Sequence, residues 1–169
     1  MKYTSSEANK LLKQLNQEHD HLLMMESQSC QFNAALGEDV ESVRPEYDYA
    51  KTQEALAEVE QKIRSLKHAV NVFNSTHKVP GFDMTIDEML VYLPQLSARK
   101  FKLQNMMSRL PKVRESASGF GNNKLIDYNY ANYDISSVEI DFAEVDQLLQ
   151  KAQTALDLLN NTETMEIEL

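Results

Sequence analysis

A chain of 169 residues is long enough for one compact domain or one elongated helical bundle with a buried core. Its net charge of −9 argues against general nucleic-acid binding, and its single cysteine, Cys30, excludes an internal disulfide and fits a reducing compartment. Only four glycines and four prolines are present, and this scarcity of turn formers favours a few long helices.

The residues that follow Met1 are polar and lack the apolar core of a signal peptide. No apolar run approaches the ~18 residues that a membrane-spanning helix needs. The expectation is therefore a cytoplasmic protein that has neither a membrane nor a nucleic acid as its partner.

A first helix is predicted over residues 6–35, with Ser6 as its N-cap and Glu7 in its first turn. Its apolar residues recur at steps of three and four, which is the period of a helical packing seam. The seam positions are Ala8, Leu11, Leu15, Leu22, Met25 and Phe32, with the polar Glu18 and Ser29 among them. The acidic segment 36–48 that follows is predicted to be an exposed connection.

The second predicted helix, 48–76, carries the most regular pattern in the chain. From Leu56 its apolar positions alternate steps of three and four: Leu56, Val59, Ile63, Leu66, Val70 and Phe73. Charged residues fill the positions between them. A helix with such a narrow seam is stable only when the seam is buried on a partner. The pattern therefore predicts helices packed along one another, as in a coiled coil.

A third helix is predicted over residues 85–116, after a turn at Pro80–Gly81. Thr85 and Glu88 have the spacing of a capping box at its start. Pro94 lies inside the helical pattern and is predicted to kink the helix or to break it near Tyr92. The glycine-rich residues 119–123 read as a loop.

Residues 124–140 change from a helical period to the alternation of a strand. Tyr128 and Tyr130 alternate with polar residues, and a change of parity at Ser136–Ser137 predicts a bulge. The pattern indicates a small β-ribbon with a turn at Ala131–Asn132. A lone ribbon is marginal in water, so it requires a helix face or another subunit beside it.

A last helix is predicted over residues 141–160, where apolar residues repeat the three-and-four spacing from Phe142 to Leu159. The tail, 162–169, alternates Met165 and Ile167 with acidic residues. That alternation fits an edge strand, but fraying is favoured because the tail is terminal.

Two short stretches resemble the septicolysin family of small bacterial helical proteins. They are Phe73-Asn74-Ser75-Thr76 at a helix end and Thr85-Ile86-Asp87-Glu88-Met89-Leu90 at the next helix start. The similarity follows most of the chain in order, through a short strand-forming stretch to a final helix. The chain departs from the family at His77, at Pro94 and in its tyrosine-rich ribbon. The resemblance implies a bacterial helical fold and defines no activity.

No arrangement typical of catalysis occurs in the sequence. Glu18 and His21 form a single Glu-x-x-His, whereas a di-iron bundle needs two such motifs and two further glutamates. Ser, His and Asp occur without the spacing of a nucleophile site, and no glycine-rich phosphate loop is present. We therefore expect no enzymatic activity, no cofactor and no metal.

Charge is distributed unevenly along the second half of the chain. From Arg99 to Lys124 there are seven basic residues and one acid, which gives +6. From Asp134 to Leu169 there are nine acids and one base, which gives −8. The favoured interpretation is that these segments lie side by side and neutralise each other. The alternative is that the basic segment holds an anion.

Six residues are candidates for such an anion site. Arg99, Lys102 and Arg109 share one face of the predicted third helix. The other candidates are a helix-end amide and two ring residues suited to ligand stacking, namely Asn74, Tyr128 and Tyr130. Each has a structural alternative, since the amide can cap backbone groups and the rings can cover a helix.

The fold class that follows is mainly α, with long antiparallel helices forming a coiled-coil-like bundle and a small β-ribbon before the last helix, in one domain of 169 residues. Four seams in one chain predict a homo-oligomer. The functional hypothesis is a non-enzymatic structural or protein-interaction role. The alternative is an oligomeric binding protein that sequesters a small anionic or nucleotide-like ligand at a subunit interface.

Overall fold

The computed structural model describes residues 1–114 and 127–168. It contains the helices α1 (Ser5–Ser29), α2 (Val40–Val43), α3 (Tyr49–Thr76), α4 (Ile86–Met107) and α5 (Ile135–Thr162). Its strands are β1 (Lys2–Thr4), β2 (Lys112–Arg114), β3 (Tyr128–Tyr130) and β4 (Thr164–Glu166). The predicted fold class, long antiparallel helices with a small β-ribbon before the last helix, is confirmed. No helix of the described residues is both long and apolar enough to cross a membrane.

Residue contacts divide the chain into two compact units. The first unit comprises Met1–His77 together with Leu158–Leu169, and the second comprises Lys78–Asp157. Helix α5 contributes its longer part to the second unit and its end to the first.

In the first unit, α1 and α3 pack along each other. The predicted seam of α3 is buried at Leu56, Val59, Leu66 and Phe73. The tail is ordered by pairing with the chain start, because β4 forms an antiparallel pair with β1 in which Tyr3 lies opposite Met165. The expectation that the tail frays is wrong, since burial of Met165 and Ile167 supplies the packing that an isolated tail would lack.

Both ends of α1 differ from the prediction. The N-cap is Thr4, two residues before the predicted Ser6, and its hydroxyl and the Glu7 carboxylate form a reciprocal capping box. The helix ends at Ser29 and not at residue 35. Phe32 lies after the end of α1, and the centre of its ring is 5.2 Å from the Arg44 guanidinium. This contact with a residue outside the helix holds the Phe32 ring in place.

The core of the second unit is formed by α4 and α5. One cluster of its buried residues consists of Leu96, Leu103, Val138, Val145 and Leu149. The predicted capping box at the start of α4 is confirmed, with Thr85 and Glu88 each bonding the other's backbone. Helix α4 continues through Pro94, so of the two predicted alternatives, a kink or a break near Tyr92, the break is wrong.

The predicted end of the third helix at residue 116 is wrong, because α4 ends at Met107 and the chain then enters β2. The predicted ribbon over 124–140 is correct only in its strand Tyr128–Tyr130. The partner of that strand is β2, with Lys112 opposite Tyr130. The loop predicted at 119–123 and the ribbon's first residues lie outside the described part of the chain.

The residues from 135 to 140 belong to α5 and not to a strand, and the predicted helix start at Asp141 is therefore too late. The carboxylate of Asp134 accepts hydrogen bonds from the Ser136 N–H at 3.1 Å and the Ser137 hydroxyl at 2.8 Å, which caps the helix. Val138 is buried seven residues before Val145, which is a helical repeat. The change of parity at Ser136–Ser137 marks a helix start and not a bulge.

Candidate functional site

A groove of about 590 Å³ lies in the second unit beside the paired strands β2 and β3. Basic, amide, aromatic and apolar residues are all among those that line it. This ribbon groove, as we name it, is lined by Arg109, Leu110, Val113, Arg114 and the stretch from Asn129 to Tyr133. Its volume falls within the ~300–1,000 Å³ that is usual for small-molecule sites.

Backbone hydrogen bonds after α4 shape the ribbon groove. The Arg109 N–H donates to the Met106 carbonyl at 3.3 Å, which turns the chain away from the helix. The Ala131 N–H donates to the Pro111 carbonyl at 3.1 Å and extends the strand pairing. The Tyr133 hydroxyl donates to the same Met106 carbonyl at 2.9 Å. Two of these bonds, from Arg109 and Tyr133, thus reach the Met106 carbonyl at the end of α4.

The register of β2 and β3 assigns their side chains to two faces. Residues directly opposite each other share a face, and successive residues alternate. Val113 and Asn129 are opposite each other and share one face, whereas the tyrosines of β3 share the other face with Lys112 and Arg114. The Lys112 ammonium lies 4.0 Å from the centre of the Tyr128 ring and 5.2 Å from that of Tyr130. Both rings are therefore engaged by a cation within the ribbon itself.

The ribbon groove carries positive charge that is not neutralised by the described residues. Arg109, Lys112 and Arg114 fall within six residues, and none forms an ion pair with a described carboxylate. Asp134 follows the groove in sequence, but its carboxylate accepts the two capping bonds of α5. Both bonds lower the pKa of the Asp134 carboxyl below its ordinary value, and the bond from the Ser137 hydroxyl has the larger effect.

Two of the six candidate residues, Arg109 and Tyr130, line the ribbon groove. Tyr128 lies on the ribbon face that carries Lys112. Arg99 and Lys102 are exposed on α4. The expectation that they share a helix face with Arg109 fails, because α4 ends two residues before Arg109.

Asn74 lies in the first unit, so the six candidates are divided between the two units. The backbone at the end of α3 is bonded by a side chain other than that of Asn74, since the Thr76 hydroxyl donates to the Val72 carbonyl at 2.7 Å. The His77 ring stacks on Phe73 with 4.0 Å between ring centres. The side-chain oxygen of Asn74 is buried and has no hydrogen-bond partner among the described residues.

Sequence reasoning missed Asn129 and Asn132 as lining residues of the groove, and it placed Arg114 only within the basic segment that could hold an anion. The sequence shows that Asn129 is a polar residue between two tyrosines. It does not show which strand pairs with Asn129, because that strand is separated from it by a long stretch of chain. Only the strand register brings Val113 to Asn129.

The expectation that the basic and acidic segments neutralise each other holds at one place in the second unit. The Lys100 ammonium pairs with the Asp146 carboxylate between α4 and α5. The charges that follow α4 have no such partner among the described residues. The basic segment is thus paired at Lys100 within α4, whereas Arg109, Lys112 and Arg114 after the helix have no described carboxylate as a partner.

Within residues 1–114 and 127–168, no group of three His, Cys, Asp or Glu side chains is placed to hold a metal ion. No family model matches the chain, and no curated protein matches it. The fold is similar to that of a solved structure, described as a functionally unknown conserved protein from Corynebacterium diphtheriae, with a TM-score of 0.60 and 13% sequence identity. The match covers 98% of this chain and 100% of that one. This is a helical protein that resembles a conserved bacterial protein of unknown function in its fold.

Proposed function

We propose that this protein is a non-enzymatic, cytoplasmic helical protein that acts by self-association, in a structural or interaction role. We also propose that it is a septicolysin-like protein, on the sequence resemblance at 73–76 and 85–90. The observation that carries the first proposal is a row of exposed apolar and small residues on α4.

The α4 row, as we name it, consists of Leu90, Pro94, Ser97 and Phe101. Their spacings of four, three and four place them on one face, since eleven residues make about three helical turns. All four are exposed, and the Phe101 side chain is 66% exposed. The opposite side of α4 already packs into the core of the second unit. Helix α4 therefore carries a second apolar face that the described chain leaves uncovered.

The spacing of the α4 row is symmetric about its midpoint, between Pro94 and Ser97. Leu90 and Phe101 each lie about 8 Å along the helix from that point, at ~1.5 Å per residue. Two copies of α4 packed antiparallel about a two-fold axis would place each Leu90 beside the partner's Phe101. The small Pro94 and Ser97 would meet at the axis, where they permit close approach of the helices.

The charges beside the α4 row fit the same antiparallel pairing. Asp87 and Lys102 are exposed and flank the row on one side, the acid at its start and the base at its end. Their distances from the midpoint, about 13 Å and about 10 Å, differ by less than the length of a lysine side chain. Each acid would therefore meet the partner's base. This complementarity supports the proposal that a second copy of the chain covers the α4 row.

Sedimentation velocity over a wide range of protein concentration tests self-association. We expect wild-type protein to form dimers in the micromolar range, because one helix pair buries less than a standard interface. The variant Phe101→Glu should shift the protein to monomers while helicity, measured by circular dichroism, is unchanged. The matched control is Ile140→Glu on α5, where the side chain is 62% exposed, and it should leave association unchanged.

A charge exchange adds a test of the antiparallel arrangement. Lys102→Glu should weaken dimers by placing like charges together, and adding Asp87→Lys should restore them. Wild-type protein that stays monomeric at every concentration would overturn the proposal. Equal loss of dimers in Phe101→Glu and Ile140→Glu would overturn the assignment to α4.

A further inference from the structure

We propose that the ribbon groove binds a phosphate monoester attached to a planar heterocycle, with Arg109 and Arg114 as its anion-binding residues. This inference is independent of self-association through the α4 row. It rests on the charge, lining and rigidity of the groove.

Charge in the ribbon groove suits a dianion. Arg109 and Arg114 both line the groove, Lys112 lies between them in sequence, and none pairs with a described carboxylate. A phosphate monoester carries about −1.5 to −2 charges at pH 7, whereas a carboxylate carries one. Arginine can also bind phosphate through two parallel hydrogen bonds. A chain with a net charge of −9 therefore has a local site that attracts anions.

The rest of the lining suits a planar ring with polar edges. Leu110, Val113 and Ala131 provide apolar surface, and Tyr130 provides an aromatic side chain. By the strand register Tyr130 shares a ribbon face with Arg114, the proposed anion-binding residue. Asn129 also lines the groove, and its carboxamide, with both donors and acceptors, shares the other face with Val113. A small number of polar groups within apolar surface is the usual composition of a small-molecule site.

The ribbon groove is held in shape by bonds that a ligand would not need to form. The Tyr133 hydroxyl and the Ala131 N–H are both satisfied by backbone carbonyls, and β2 is paired with β3 through three residues on each strand. A site that is already ordered loses less conformational entropy when a ligand binds. The arginine side chains are the parts left to adjust.

Isothermal titration calorimetry with nucleoside 5′-monophosphates as probes tests the site, with the matching nucleosides and inorganic phosphate as separate arms. We expect at least one monophosphate to bind more tightly than either of its parts. Arg109→Gln and Arg114→Gln should each weaken that binding about tenfold or more, because each removes a charged hydrogen-bond donor. Lys151→Gln, which removes one positive charge from α5 in the same unit, should leave the affinity unchanged.

Three results would overturn the proposal. The first is that no monophosphate binds to the wild-type protein. The second is that inorganic phosphate binds as tightly as the monophosphate, which would leave no role for the ring. The third is that Lys151→Gln weakens binding as much as Arg109→Gln, which would indicate general charge attraction. The variant Phe101→Glu should bind the monophosphate as wild type does, so failure of this proposal and failure of self-association are distinguishable.

Discussion

The ion pair between Lys100 and Asp146 predicts a measurable coupling between α4 and α5. Both side chains are largely covered, with 35% and 28% of their surface exposed. Asp146 also accepts a hydrogen bond from the Gln150 amide at 2.9 Å, and the Lys100 ammonium lies 5.9 Å from the Phe142 ring. A double-mutant cycle of Lys100→Met and Asp146→Asn isolates the pairwise free energy. Methionine keeps the apolar stem over Phe142, and asparagine keeps an acceptor for Gln150.

The magnitude follows from partial burial. Fully exposed ion pairs contribute about 0–1 kcal/mol, and breaking a fully buried pair by removing one partner costs about 3–5 kcal/mol. Because about a third of each side chain still contacts water, desolvation and screening cancel most of the attraction. We expect a coupling of about 1 kcal/mol in favour of the folded state. It should decrease at high salt, since the exposed parts of the pair are screened.

Urea unfolding at low and high salt measures this coupling through the free energy of unfolding of the four proteins. The control is the same cycle with Lys102→Met in place of Lys100→Met, because Lys102 is exposed on the same helix. That cycle should show a coupling near zero. Equal coupling in the two cycles, or a value near zero for Lys100, would refute the view that this pair joins α4 to α5.

Two more predictions concern local polar groups. Asn74→Leu should leave the free energy of unfolding unchanged or raise it by about 1 kcal/mol, since the buried side-chain oxygen has no partner among the described residues. A clearly lower melting temperature of the variant would contradict this, because it would mean that the Asn74 side chain makes a stabilising bond. The Glu88 pKa is lowered from 4.5, first by the Thr85 N–H. A lowered folded-state pKa gives stability that is present above pH 4.5 and lost as the pH falls below it. The Thr85 hydroxyl is the second cause of this lowering, and Thr85→Ala removes that bond while it keeps the N–H bond. The melting temperature of the variant should therefore depend somewhat less on pH in this range, and an unchanged dependence would contradict a role for the hydroxyl.

The seam of α3 could be predicted from sequence because its six positions from Leu56 to Phe73 follow the helical period, and four of them are buried while Ile63 and Val70 are partly buried. Helix ends were less predictable. The pattern of the first helix continues to Phe32, but that ring contacts Arg44, which no local pattern shows. The third helix pattern likewise continues past Met107, where the chain instead enters a strand. A periodic pattern describes which face is apolar, and tertiary contacts decide where the helix stops.

The ribbon could be predicted in part. Alternation identified Tyr128–Tyr130 as a strand, but alternation cannot show which segment pairs with it. The residues from Ile135 to Ile140 satisfied both a strand and a helix pattern over so short a run, and Asp134 decides between them by capping α5. The groove residues Arg114 and Asn129 depend on strand register, so they were not predictable from spacing along the chain.

The end of α4 explains why one basic segment has two different roles. Within α4, Lys100 lies against α5, whose Asp146 neutralises it. After Met107 the chain leaves the helix and forms β2, so Arg109 and Arg114 have no described carboxylate opposite them. Asp134 is close to the groove in sequence, but its carboxylate accepts the two bonds that cap α5, and these bonds stabilise its charged form there. The positive groove therefore arises from where α4 stops, and a helix that continued to residue 116 would have carried the two arginines away from β3.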